Sequence, residues 1–198
     1  MAGLLEDGKK SNKRRRIRRG KGKQKESSLN LFANNVAGIK GKIQSFKSEI
    51  KAVNAAIFTI QEGHFEKKGK LKMEGFEIFE AIRNKKDGGT LVGVHKALKP
   101  MLIKEYSEEF ELIVVEIKVA NKEMRIITGY GPQETWPEKE RMPFFLALEE
   151  EISKAEMLGK SIILQMDANS KLGPEIIELD PHSQSHNGRI LANIIERH

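Results

Sequence analysis

The order of the apolar runs constrains the fold of this 198-residue chain more than any other feature. A strand-like run comes first, then a helical one and a second strand. Several strands follow in succession, and a helix, a strand and a helix close the chain. A short strand is expected over Ser28 to Ala33, ended by the turn-prone Asn34-Asn35-Val36-Ala37-Gly38. Between Gly41 and Asn54, Ile43, Phe46, Ile50 and Val53 recur at spacings of 3, 4 and 3, which puts them on one face of an amphipathic helix. Ala55 to Ile60 reads as a short buried strand ending at Gln61-Glu62. Strand-like runs then occupy Phe76 to Ile82, Thr90 to His95, Leu112 to Val119 and Met124 to Tyr130. The turn Lys86-Asp87-Gly88-Gly89 separates the first two, and the polar Ala120-Asn121-Lys122-Glu123 suits a hairpin between the last two.

The last part returns to helix. Pro137 fits the first turn of a helix to about Leu158, with Phe144, Phe145, Leu148 and Ile152 inward and Glu149, Glu150 and Glu151 solvated. Gly159 closes it. Ser161 to Met166 forms a strand leading into Asp167-Ala168-Asn169, and Asn187 is placed to cap a final helix through Ile195. Sequential βαβ units would make a doubly wound parallel sheet. This order instead indicates an α+β layered domain, of which only one sheet-plus-helices layer is evident from the sequence.

Charge is strongly segregated. Residues 1–26 carry 11 Lys and Arg against 3 Asp and Glu, a net +8, while the other 172 residues carry 24 against 25, a net −1. The chain therefore divides into a basic tail, residues 1–27, and one domain, residues 28–198. The run KKSNKRRRIRRGKGKQK has no apolar periodicity, so it is expected to be disordered. Arg14, Arg15, Arg16, Arg18 and Arg19 could bind nucleic-acid phosphates, act as a nuclear-import signal, or merely solubilise the chain. No stretch approaches the ~20 apolar residues of a membrane span, and the start MAGLLEDGKK lacks a secretory apolar core, so an intracellular protein is expected. With no cysteine, thiolate metal sites, disulfides and cysteine nucleophiles are excluded.

Polar groups recur where apolar strands end: Asn35, Glu62, Tyr130, and Asp167 with Asn169. Adjacent strands deliver their terminal residues to one rim, where distant residues can converge on rigid supports. Two carboxylates and two amide oxygens suit a hard cation such as Mg²⁺, with Mn²⁺ as an alternative. Taken singly, each residue also fits a plainer role. Glu62 could be a solvated loop residue, the Asn and Asp positions could shape turns, and Tyr130 could be a packing residue. His182 and His186 read as polar loop residues rather than metal ligands.

The segments LFANNVAGIKGKI, FTIQEGH, DGGTLVGVHKAL, IITGYGPQ and IILQMDANSKLG resemble, in order and spacing, the endonuclease/exonuclease/phosphatase superfamily. The resemblance runs from about Leu29 to Ile195 and is closest to the endonuclease domain attached to reverse transcriptases of non-long-terminal-repeat retrotransposons. The Asn187-Gly188-Arg189 helix start looks similar too. The resemblance implies a four-layer α/β-sandwich of the deoxyribonuclease-like type and a Mg²⁺-dependent hydrolase acting on DNA. It further implies that Glu62 and Asn35 bind the metal, that Tyr130 contacts the scissile phosphate, that Asp167 activates water, and that Asn169 supports both the phosphate and Asp167.

The chain departs from the family pattern at several positions. Gln133 stands where the family has Asn, Gln165-Met166 replaces glycines and Ala168 replaces Phe. The family's final third, with a Ser-Asp-His triplet, has no counterpart, and His198 does not match it. The expectation is therefore a C-terminally truncated sandwich whose first sheet exposes its inner face, with low stability and little or no nuclease activity. Two alternatives stay open: a non-catalytic nucleic-acid-binding chain acting through its tail, and a phosphatase on small or lipid phosphoesters.

Overall fold

The hairpin expected mid-chain is the spine of a four-stranded sheet. In this computed structural model, which describes residues 28–65, 67–83, 88–174, 176–177 and 183–198, β6 (Glu111–Val119) pairs antiparallel with β7 (Lys122–Tyr130) along its whole length. Val119 pairs with Lys122, so the turn is only Ala120-Asn121, two residues shorter than expected. Ala120 takes a φ of +54°, the positive value that tight hairpin turns require. On one side of this pair lies β5 (Met101–Tyr106), antiparallel to β6. On the other lies β8 (Ser161–Asp167), parallel to β7. The other sheet, first in chain order, runs β1 (Leu31–Asn35), β2 (Ile57–Gln61), β4 (Thr90–His95), β3 (Phe76–Ala81), with β1 and β2 parallel.

The two sheets stack face to face. Ile57, Ala81, Val92 and Val94 of one meet Ile113, Val115, Ile117 and Ile126 of the other in one buried cluster. Alternate residues of the same strands face outward. Phe58, Ile60 and Leu91 pack under Phe46 and Ile50 of α1 (Ile43–Ala52). Leu112, Val114 and Ile127 pack under Phe144, Phe145, Leu148 and Ile152 of α2 (Glu138–Met157) and Leu191 and Ile194 of α3 (His186–Arg197). Because both faces of β2 and β6 are covered, these strands read as continuous apolar runs. The layers are α1, sheet, sheet, and α2 with α3, an α+β four-layer sandwich.

Several expectations need correcting. The chain supplies both sheets, so the first sheet's inner face is covered rather than exposed. The second sheet escaped notice because β5 is an edge strand with Met101, Leu102 and Ile103 all exposed, and because periodicity does not say which sheet a strand joins. Val53 is 46% exposed, at the end of α1 rather than on its inner face. The cap of α3 is Ser185, whose hydroxyl accepts from Gly188 N, and Asn187 serves elsewhere. Glu151 is buried, not solvated. Residues 84–87, which include half of the turn expected before β4, lie outside the described residues. Among the described residues no helix is long and apolar enough to cross a membrane.

Glu151 belongs to a buried ionic network that fastens α2 to the second sheet. Arg125, 3% exposed, reaches Glu116 at 2.7 Å and Glu151 at 3.3 Å, and donates to the Glu151 backbone carbonyl at 3.2 Å. Lys160 sits 2.5 Å from the other Glu116 oxygen. Burial alone would raise the Glu116 carboxyl, but hydrogen bonds from Lys160 and Arg125 outweigh it and hold the group below its ordinary 4.5. A depressed folded-state value means that this stabilisation is present above 4.5 and is lost as pH falls through the folded value. The urea midpoint is therefore expected to drop on acidification below that point, and to drop less in Glu116→Gln. Equal acid sensitivity of the two proteins would remove Glu116 as a cause.

Candidate active site

Each sheet contains one parallel strand pair joined by a helical crossover, β1-α1-β2 and β7-α2-β8. The C-terminal ends of the two pairs meet. In register, Asn35 lies opposite Gln61, and Tyr130 lies opposite Asp167. Two side-chain hydrogen bonds then cross from sheet to sheet. Asn35 Nδ2 donates to Asp167 Oδ2 at 2.8 Å, and the Tyr130 hydroxyl donates to Glu62 Oε1 at 2.8 Å.

Backbone geometry fixes most of these groups. Asn35 Oδ1 accepts from Ala37 N at 3.2 Å, which fixes the amide while leaving its oxygen a second lone pair. Asp167 Oδ1 accepts from Asn169 N at 3.1 Å, and Asn169 Nδ2 donates to the Gly131 carbonyl at 2.8 Å. Glu62 and Asn169 both adopt left-handed backbone, with φ of +52° and +46°. Such conformations are uncommon in residues with a Cβ and persist where the surroundings over-determine them. Gly131 is obligatory for a different reason: a Cβ there would lie 2.5 Å from the backbone oxygen of Ala168.

Burial raises the Tyr130 phenol above its ordinary 10.0; the hydrogen bond with Asn169 works against the rise and the Glu62 carboxylate adds to it. At neutral pH Tyr130 is thus a neutral hydrogen-bond donor. Beside this cluster an open cavity of about 540 Å³ is lined by Asn35, Gln61, Asp167, Asn169 and apolar residues including Leu164 and Met166. It lies along β1 and β8, the outer strands of the two sheets.

Solved structures share this architecture. An AP endonuclease from Archaeoglobus fulgidus superposes with a TM-score of 0.63 at 17% identity, over 86% of this chain and 71% of that one. The endonuclease domain of TRAS1, a telomere-specific non-LTR retrotransposon, gives 0.56 at 18% identity, over 86% and 70%. A 3' phosphatase, NExo, from Neisseria, bound to product DNA hairpin, gives 0.58 at 18% identity, over 85% and 71%.

The chain has the endonuclease/exonuclease/phosphatase fold. No family model matches the sequence, and no curated protein does. At these identities the likeness is one of fold alone.

Within this fold, the five domain residues singled out from sequence, Asn35, Glu62, Tyr130, Asp167 and Asn169, stand within one hydrogen-bonded cluster. Arg14, Arg15, Arg16, Arg18, Arg19 and His182 lie outside the described residues. His186 is exposed at the start of α3. His198 Nδ1 sits 2.6 Å from Glu156 Oε2, at the far end of α2 from Pro137. Gln133, longer than the expected Asn, still reaches Tyr130 as a hydrogen-bond partner.

Sequence reasoning missed a brace beneath the cluster. Asn187 is fully buried. Its Nδ2 donates to the Pro132 carbonyl at 2.8 Å and approaches the Asn169 carbonyl at 3.4 Å. Its Oδ1 accepts from Arg141, and its backbone N–H donates to Glu134 at 2.6 Å. The segments after β7 and β8 are therefore tied to each other through one amide. The Asn-Gly pair at a helix start was the available signal, but it suggested a cap.

Among the described residues no three His, Asp or Glu side chains could together hold a metal. The donors at hand are the Glu62 carboxylate and the Asn35 amide oxygen. So few protein oxygens fit a hard cation that keeps water and substrate phosphate as its other ligands. They do not fit zinc, which takes three or four nitrogen or sulfur-rich ligands.

Proposed function

We propose that this chain is a Mg²⁺-dependent phosphodiesterase that cuts DNA in the manner of a retrotransposon endonuclease, with Mn²⁺ able to replace Mg²⁺. The carrying observation is the pair of hydrogen bonds, Asn35 to Asp167 and Tyr130 to Glu62, that join the strand-end residues of both sheets into one cluster.

In this reading Glu62 and Asn35 hold the cation, which when bound neutralises negative charge developing on the phosphoryl oxygens. Asp167 has one N–H donor on each oxygen. That arrangement fixes the carboxylate and leaves lone pairs to orient a water molecule and take its proton. The oxygen of that water forms a bond to phosphorus as the bond to the leaving alkoxide breaks, and the alkoxide gains its proton from solvent. Tyr130, kept neutral, offers a hydroxyl donor to a phosphate oxygen. Asn169 holds Asp167 through its backbone and the Gly131 loop through its amide. Arg14, Arg15, Arg16, Arg18 and Arg19 would add phosphate contacts, and an intracellular, nuclear site of action follows if the run also serves import.

Three substrates separate this reading from the alternatives: supercoiled plasmid, a small synthetic phosphodiester and inositol phosphates. Cleavage of plasmid with Mg²⁺, lost in Glu62→Gln, is expected. Preference for inositol phosphates would favour the phosphatase reading. Binding of DNA without cleavage, abolished by deleting residues 1–27 and unaffected by Glu62→Gln, would favour the tail alone. Such binding should also fall with salt at about −0.9 log units per log unit for each phosphate contacted.

A further inference from the structure

Glu111, the first residue of β6, is fully buried and is spent entirely on one neighbouring segment. Its Oε1 accepts from Gly89 N at 2.9 Å, Arg83 Nε at 3.1 Å and Arg83 N at 3.3 Å. Its Oε2 accepts from Gly89 N at 2.9 Å and the Thr90 hydroxyl at 3.0 Å. All these donors belong to residues just past β3 or at the entry to β4.

The same segment holds the chain just past Glu62. Gly63 N donates to the Gly89 carbonyl at 2.9 Å, and His64 N donates to the Gly88 carbonyl at 2.8 Å. Both of those glycines have positive φ, +116° at Gly88 and +92° at Gly89. A Cβ on Gly88 would come within 2.6 Å of Glu111 Oε1, so the glycine is what lets the carboxylate approach. On its other side Glu111 is the register partner of Tyr130, whose hydroxyl donates to Glu62. Glu111 thus underlies both supports of Glu62, the glycine segment and the tyrosine strand end.

From this chain of contacts we infer that Glu111 is a positioning residue, which sets the left-handed Glu62 backbone and aims the Glu62 carboxylate at its cation. The inference rests on the reading of Glu62 as a metal ligand. Its bland competitor is a buried ion pair with Arg83 that stabilises the fold and nothing more. Outer partners that orient a ligand typically govern about 10–100-fold in metal affinity, whereas an ion pair acting only on folding would change the melting temperature and leave the folded protein's affinity alone.

The test is Mn²⁺ binding by the full chain, followed by the electron paramagnetic resonance signal of free Mn²⁺, alongside thermal unfolding. Glu111→Gln preserves volume but puts an amide N–H₂ against donors. It is expected to weaken Mn²⁺ binding about 10–100-fold in protein that still unfolds cooperatively. Should that variant fail to fold, Glu111→Asp keeps the charge for Arg83 while withdrawing the carboxylate from Gly89, and the same weakening is expected. Wild-type Mn²⁺ affinity in either folded variant, with Glu62→Gln impaired, would overturn the positioning role and leave Glu62 as a ligand. Wild-type affinity in Glu62→Gln would overturn the ligand reading and the positioning role with it.

Discussion

Asp167→Asn is expected to lower the rate of phosphodiester cleavage by about 10²–10⁴, the usual cost of losing a general acid-base group. The substitution is nearly isosteric, so the loss would come from chemistry and hydrogen bonding rather than packing. In the native site both Asp167 oxygens receive N–H donors, from Asn35 at 2.8 Å and from the Asn169 backbone at 3.1 Å. An asparagine can accept at only one atom, and whichever way its amide turns, an N–H₂ faces one of those donors. On the proposed function, the substitution removes the base and pushes a neighbour away. Steady-state cleavage of a short duplex, with kcat and KM separated, checks this. A rise in KM with kcat unchanged would move Asp167 from the chemical step to substrate binding.

Arg125→Ala is expected to cost about 3–5 kcal/mol, because it strands two buried carboxylates and not merely one contact. Glu151 is 1% exposed and Glu116 9% exposed, and Arg125 bridges them. Lys160 would still neutralise Glu116 and Lys154 would still reach Glu151, which is why the lower end of that range is the better expectation. Urea unfolding followed by circular dichroism measures it. A loss below about 1 kcal/mol would match a solvated surface pair and would contradict the picture of a dry network fastening α2 to β6 and β7.

Much of the cluster was legible because strand ends are marked in sequence by a change from apolar to polar residues. Asn35, Glu62, Tyr130 and Asp167 all stand at such changes, and parallel pairing of β1 with β2 and of β7 with β8 carries them to one rim. What sequence could not show is the pairing across sheets. The hydrogen bonds Asn35–Asp167 and Tyr130–Glu62 span 132 and 68 residues, and nothing local encodes them. Asn187 and Glu111 were hidden for a related reason: their roles depend on buried partners far along the chain, while their local contexts suggest a helix cap and a strand-end polar residue. Edge strand β5 was missed because its apolar side chains face solvent. Glu151 was misassigned because three consecutive glutamates look like a solvated face until Arg125 is placed beneath one of them.

On the proposed function, the two sheets bring Asn35, Glu62, Tyr130, Asp167 and Asn169 together as one phosphodiester-cleaving site. The most direct test is conversion of supercoiled plasmid to nicked circle by the purified chain, with and without Mg²⁺. Nicking that requires the cation and disappears in Glu62→Gln is the predicted result. Absence of nicking by a chain that binds Mg²⁺ and unfolds cooperatively would contradict it.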